Sequence, residues 1–145
     1  MTEITFHFNV PNGLDYSCRL LRKAFAKGAS VVVTADAPTL AELDGRLWSL
    51  SPQEFVPHCR LDAAQATLEM SSIVLSESLS LIERDGVLIN LGSQVPVAFE
   101  RFERLIEVVT ADQSERLAAR QRWKYYATRG YALHRHDLAT VPAAS

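Results

Sequence analysis

Three consecutive valines, Val31, Val32 and Val33, constrain the fold more than any other feature. Successive residues of a strand point to opposite faces. An unbroken β-branched run therefore puts apolar side chains on both sides, and both sides must be covered. That is the situation of a central strand in a parallel sheet flanked by helices. The covering helices are legible on either side of the run. Before it, Leu14, Cys18, Leu21 and Phe25 recur at helical spacing, with Arg19, Arg22, Lys23 and Lys27 largely off that stripe. This predicts an amphipathic helix closed by Gly28. After it, Asp36 and Pro38 are start signals for a helix that carries Leu40, Leu43 and Leu47 toward Trp48.

The rest of the chain repeats the theme. Ile4, Phe6 and Phe8 alternate with Thr5 and His7, the period of a strand, before Pro11-Asn12-Gly13 breaks it. Val87 to Leu91, between Gly86 and Gly92, predicts another strand, as does Ile106 to Val109; Ile73 to Leu75 is a weaker candidate. Phe99, Phe102 and Leu105 predict a short helix, and a long helix runs from about Asp112 to Thr128, stopping before Gly130. From Ser49 to Leu68, with Pro52 and Pro57, the pattern is irregular, and Glu77 to Asp85 has no readable period. Strands alternating with helices predict an α/β fold with a largely parallel sheet. At 145 residues and 48% apolar, the chain is long enough to bury a core as one domain over residues 1–139. The small residues of 140–145 are expected to fray.

Charge narrows the function. Fifteen Lys and Arg stand against 17 Asp and Glu, a formal net charge of −2. Broad binding of duplex DNA needs a strong positive field, which this balance does not supply, although a local basic patch remains open. The two cysteines, Cys18 and Cys59, form no motif, which fits a reducing cytosol. The N-terminus carries Glu3 and lacks a basic region followed by a long apolar run, so no signal peptide is expected. No apolar stretch approaches the ~20 residues of a membrane helix.

Catalytic motifs are missing: there is no GxxxxGK[ST] phosphate loop, no GxGxxG after a strand and no GxSxG elbow. His58 beside Cys59 is the best nucleophile candidate. Neighbours in an extended segment point apart, however, which favours a loop histidine beside a semi-buried cysteine. His134 and His136 lack further ligands at zinc spacing, so a solvated, weakly basic tail is the simpler reading. His7 is expected to face solvent or a polar contact. No metal or cofactor is expected.

Two constellations stand out. The first is Leu43-Asp44-Gly45-Arg46-Leu47-Trp48 followed by Phe55-Val56-Pro57-His58. Taken alone, both aromatics read as core; alternatively, an aromatic pair at a helix end and in a Pro-bounded loop suits a protein-binding surface. The second is the last helix, where Arg116, Arg120, Trp123 and Lys124 stand at i, i+4, i+7 and i+8, on one face. Gly130, Tyr131 and Leu133 follow, placed to fold an apolar wall beside it. Charge pattern alone favours an ordinary solvated face. Cations beside an apolar wall also suit an acidic peptide with an apolar end, whose terminal carboxylate Arg can clamp.

Together, LDGRLWSLSPQEFVPH, LINLGSQVPVAFERFERLIEVV and RQRWKYYATRGYAL are similar, in order, to the signature stretches of the chi subunit family of bacterial DNA polymerase III. The resemblance covers nearly the whole chain, with Asp62 to Asp85 matching poorly. It implies a three-layer α/β fold, Rossmann-like but without the dinucleotide motif, and no catalysis. It implies two partners. One is the psi subunit of the clamp loader, met through Trp48, Phe55, Val56 and Pro57. The other is the acidic C-terminal tail of single-stranded DNA-binding protein, met through Arg116, Arg120, Trp123, Lys124, Gly130, Tyr131 and Leu133. Trp123 stands where the family more often has Tyr or Phe, and from His134 onward the chain departs from the pattern. The protein is then a cytoplasmic monomer or psi heterodimer that contacts nucleic acid only indirectly. Two other classes stay open. One is a small nucleotide-handling α/β enzyme. The other is a direct single-strand binder stacking bases on Trp123, Tyr125, Tyr126 and Tyr131.

Overall fold

The structure, a computed structural model, describes residues 1–50, 53, 57–60, 71–80 and 82–140. Its centre is a sheet in which β2 (Val31–Thr34) lies between β4 (Ile73–Leu75) and β5 (Val87–Asn90). Val31 and Val33 pack with Leu21, Leu40, Leu43 and Leu47 on one face, and Val32 packs with Phe6, Leu88, Leu105 and Tyr126 on the other. All three valines are wholly buried. Burying one such side chain contributes ~1.5–3 kcal/mol, so this short strand anchors both layers.

Outward from β2 the described strands complete the order β3-β4-β2-β5-β6-β1-β7, adding β1 (Glu3–Val10), β3 (His58–Arg60), β6 (Arg104–Thr110) and β7 (Leu133–Asp137). Every recorded pairing is parallel. Helices α1 (Gly13–Ala26) and α2 (Ala37–Trp48) supply buried side chains to the face of Val31 and Val33. Helix α3 (Gln113–Thr128) supplies Ala119 and Tyr126 to the opposite face. This is the three-layer α/β arrangement expected.

Local chemistry sets the helix limits. Asn12, Asp36 and Asp112 accept hydrogen bonds from the backbone N–H groups of Asp15, Thr39 and Glu115 at the starts of α1, α2 and α3. At the end of α1, Gly28 adopts φ +74°. Its N–H donates to Phe25 O and that of Ala29 to Ala24 O, both at 2.9 Å, a Schellman closure. Gly86 has another role: a Cβ there would meet Ser30 O at 2.5 Å, so only glycine lets the start of β5 pass so close to β2.

Three expectations change. The segment from Ser49 to Leu68 contains the strand β3, too short to show a period. Phe99, Phe102 and Leu105 do not share a helix; a single 3-10 turn spans Phe99–Arg101, and Leu105 lies in β6. The turn follows Ala98, which is left-handed at φ +74°. His134 to Asp137 is no loose tail but most of β7, paired with β1 from Ile4↔Leu133 to Phe8↔Asp137. Glu77 to Asp85, which has no readable period in the sequence, holds no helix or strand in its described part. Arg101 donates to Ile82 O at 2.7 Å and to Leu79 O at 2.5 Å, clamping a loop whose Leu79 and Ile82 side chains are buried.

Candidate functional site

Helix α3 buries Ala119, Arg122 and Tyr126 at helical spacing, which turns Arg116, Arg120 and Lys124 outward. Arg122 is buried because β6 places a carboxylate beneath it. Its Nε donates to Glu107 at 3.0 Å, Tyr126 Oη donates to Glu107 at 2.6 Å, and Asn90 Nδ2 donates at 3.0 Å. Burial pushes the Glu107 carboxyl above the usual carboxylate range, against the pull of Arg122, Tyr126 and Asn90. The Tyr126 phenol is pushed up too, by burial and by Glu107. Arg122 Nη1 also donates to Ser93 O at 3.1 Å, so one buried side chain ties α3 to β6 and to the loop after β5.

With the helix held this way, its outer face meets the edge of the sheet. Trp123 is half-buried, its ring edge-on to Phe6 at 5.1 Å and 6.4 Å from Phe8. Beside it opens a cavity of about 410 Å³. The helix lines it with Arg116, Ala119, Arg120, Trp123 and Lys124; the strands line it with Phe8 and Asn9 of β1 and Arg135 and Asp137 of β7. Four cationic side chains thus surround an apolar floor of Phe8 and Trp123, against one carboxylate. Hydrogen bonds from Asn9 Nδ2 at 2.8 Å and Ala139 N at 2.9 Å hold the Asp137 carboxyl below the usual range, and Arg135 and Arg116 add to the effect.

The structure therefore gathers Arg116, Arg120, Trp123 and Lys124 around one cavity but leaves Gly130, Tyr131 and Leu133 outside its lining. Gly130, at φ +82°, closes the far end of α3. Tyr131 packs on Phe99 at 5.2 Å and on Tyr126 at 6.4 Å, and Leu133 joins the core. The reason is direction: β7 runs antiparallel to α3, so Arg135 and Asp137, not residues 130–133, come level with the first half of the helix. Sequence reasoning missed Phe8, Asn9, Arg135 and Asp137 as cavity residues. The signal for Phe8 was present, since it shares the strand period of Ile4 and Phe6.

The other constellation sits at the opposite edge of the sheet. Trp48 ends α2 and is 62% exposed, so it is not core. Its ring lies 5.0 Å from that of His58, which is buried in β3 with Nε2 3.2 Å from an Asp44 carboxylate oxygen. Arg60 reaches the same carboxylate at 3.9 Å. His58 is thus a buried strand residue and not a loop residue, while Cys59 is a buried free thiol. Pro57 is half-buried; Phe55 and Val56 lie outside the described residues.

The crevice where open parallel sheets often bind ligands lies between the ends of β2 and β5, whose connections leave in opposite directions. Here it is a cavity of about 370 Å³ whose charged lining residues are Asp36 and Glu77, a poor setting for phosphate. Among the described residues no three metal-ligating side chains gather, and no described helix is long and apolar enough to cross a membrane. Tyr126 is fully buried and cannot stack on a base, which breaks up the four-aromatic platform.

The fold is thus a parallel α/β sheet with a cationic, aromatic-floored cavity at one edge and an exposed tryptophan at the other. The chain belongs to the DNA polymerase III chi subunit family (HolC), which it matches over residues 1–134. It is 32% identical to the DNA polymerase III subunit chi of Pseudomonas aeruginosa, across 97% of this chain and the full length of that relative. It is 30% identical to the subunit chi of Haemophilus influenzae, across 86% of each chain. Its role is accordingly that of an accessory subunit in DNA replication.

Proposed function

We propose that this chain is a non-catalytic cytoplasmic adaptor joining the clamp loader to coated single-stranded DNA. The surface around Trp48 holds a psi-like subunit. The cavity beside α3 takes the acidic C-terminal tail of single-stranded DNA-binding protein, with its terminal aromatic on the floor. The observation that carries this reading is the grouping of Arg116, Arg120, Lys124 and Arg135 around Phe8 and Trp123. A terminal aromatic buried there supplies ~1.5–3 kcal/mol, and charge-assisted hydrogen bonds add ~1.5–3 kcal/mol each. Ordering the tail offsets much of that sum, leaving a roughly micromolar affinity near −8 kcal/mol.

Calorimetry with a tail peptide tests it. Lys124→Glu and Arg120→Glu are each expected to weaken binding at least about tenfold, or 1.4 kcal/mol, with the fold intact. Affinity should also fall with added salt, because these cations are solvent-exposed. Unchanged affinity for both reversals would place the tail elsewhere. The two carboxylates in the β2–β5 crevice weigh against a nucleotide enzyme, and the burial of Tyr126 weighs against direct stacking on single strands.

A further inference from the structure

We propose that Arg135, on β7, is a second jaw of the peptide cavity: it grips the terminal carboxylate of an acidic, aromatic-ended peptide from the strand side, opposite the cations of α3. The proposal rests on the reading of this cavity as a peptide site and adds a residue to it.

The strand's position makes the argument. Side chains alternate along β7, so Leu133, Arg135 and Asp137 share one face. Leu133 packs into the core cluster that contains Tyr126 and Ala119 of α3, so this is the face toward the helix. Arg135 therefore enters the cavity from the strand side. Its guanidinium carbon lies 5.1 Å from the centroid of the Phe8 ring, within reach of a cation–π attraction. Phe8 is itself part of the floor. A peptide whose last side chain rests on that floor carries its carboxylate only two bonds from the Cβ of the same residue, so a cation seated against the floor is placed to meet it. A planar guanidinium already seated on a ring loses less freedom on binding than a mobile lysine and matches a carboxylate in a two-pronged way.

Asp137 completes the device. Its carboxylate is held in place by Asn9 and Ala139 and lies close enough to Arg116 and Arg135 for each to affect its protonation. It offsets part of the positive field at the end of the cavity near Asn9. An incoming carboxylate is steered away from that end, which fixes the direction in which the peptide lies. Charge thus sets orientation as well as attraction.

The experiment is calorimetry of the whole protein with two peptides of one acidic, Phe-terminated sequence, one with a free carboxylate and one amidated. Arg135→Gln is expected to weaken the free-acid peptide about tenfold and the amidated one less than about twofold, so that the two changes are not additive. Arg135→Lys should recover part of the loss, and Asp137→Asn, which keeps an acceptor for Asn9, should tighten the free acid about two- to fivefold. Arg135→Gln binding both peptides like the wild type, while Lys124→Glu abolishes binding, overturns the jaw and leaves the peptide site standing. Equal losses for both peptides also overturn it, since Arg135 would then not meet the terminal carboxylate. No effect from Arg135, Arg120 or Lys124 variants, or no binding by the wild type, overturns the peptide site and this proposal with it.

Discussion

At the scale of single residues, His7 shows how burial changes what a side chain does. It alternates with Phe6 and Phe8, as its strand requires, but it packs against α1, where its Nδ1 hydrogen-bonds the Tyr16 hydroxyl. Its ring lies 5.1 Å from that of His136. Burial, then His136, Arg104 and Lys23, lower its pKa to about 4. The unfolded chain therefore binds a proton at His7 before the folded chain does. The stabilising contribution is complete above about pH 6.5 and is lost as pH falls through the folded value near 4. Proton NMR should give His7 a titration midpoint near 4, and urea midpoints should decline over that window. A His7 midpoint at or above about 6.5 would mean that burial does not hold the ring neutral. The sequence expectation of a polar contact for His7 is met by Tyr16, but the depressed pKa was not legible. It depends first on burial of the ring and then on β7 bringing His136 alongside, and that strand has no apolar alternation to announce it.

At the scale of elements, strength of pattern decided what could be read. β1, β2, β5 and the three described helices carry apolar periodicity or a capping residue, and each appears where expected within a few positions. β3 and β7 are edge strands. β3 has three residues; β7 exposes His134, Arg135 and His136 and half-buries only Leu133 and Asp137. An edge strand with charged, exposed positions resists pairing with other chains, and the same composition hides it from pattern reading. The helix cations at 116, 120 and 124 were legible as a stripe because helical spacing alone groups them. Their partners on β1 and β7 were not, because only tertiary structure brings strands 1 and 7 together. Arg122 escaped for a related reason: it looks like one more surface cation until β6 is known to place Glu107 under it. Arg122→Ala leaves that carboxylate buried without its guanidinium. The expected cost is ~3–5 kcal/mol, measured as a fall in the urea midpoint at constant slope. A loss below ~1 kcal/mol would show that the carboxyl is already protonated in the native protein and needs no counter-charge, in keeping with the upward push of its burial.

At the scale of the whole molecule, the order of strands places the two candidate surfaces at opposite edges, Trp48 beside β3 and the cationic cavity beside β7. Six inter-strand spacings of ~4.8 Å put them roughly 29 Å apart. The rigid sheet is then a spacer, and two partners can be held at once without touching. Tail-peptide affinity measured with and without a saturating psi-like partner should agree within about twofold. Mutual exclusion would show that the surfaces overlap or are coupled.

The same order has a consequence for how the protein is made. Among the described strands, β1 comes earliest in the sequence yet lies between β6 and β7, which come latest. On the ribosome, Ile4, Phe6 and Phe8 have no neighbouring strand until Arg104 onward has emerged. At about 5–20 residues per second, that wait lasts roughly five to twenty seconds. During it, the alternating apolar face of β1 is an unprotected nascent segment, suited to capture by a chaperone. A polypeptide that stops before Leu133 leaves β1 with an open edge on the side that β7 would cover, a template for pairing with other chains.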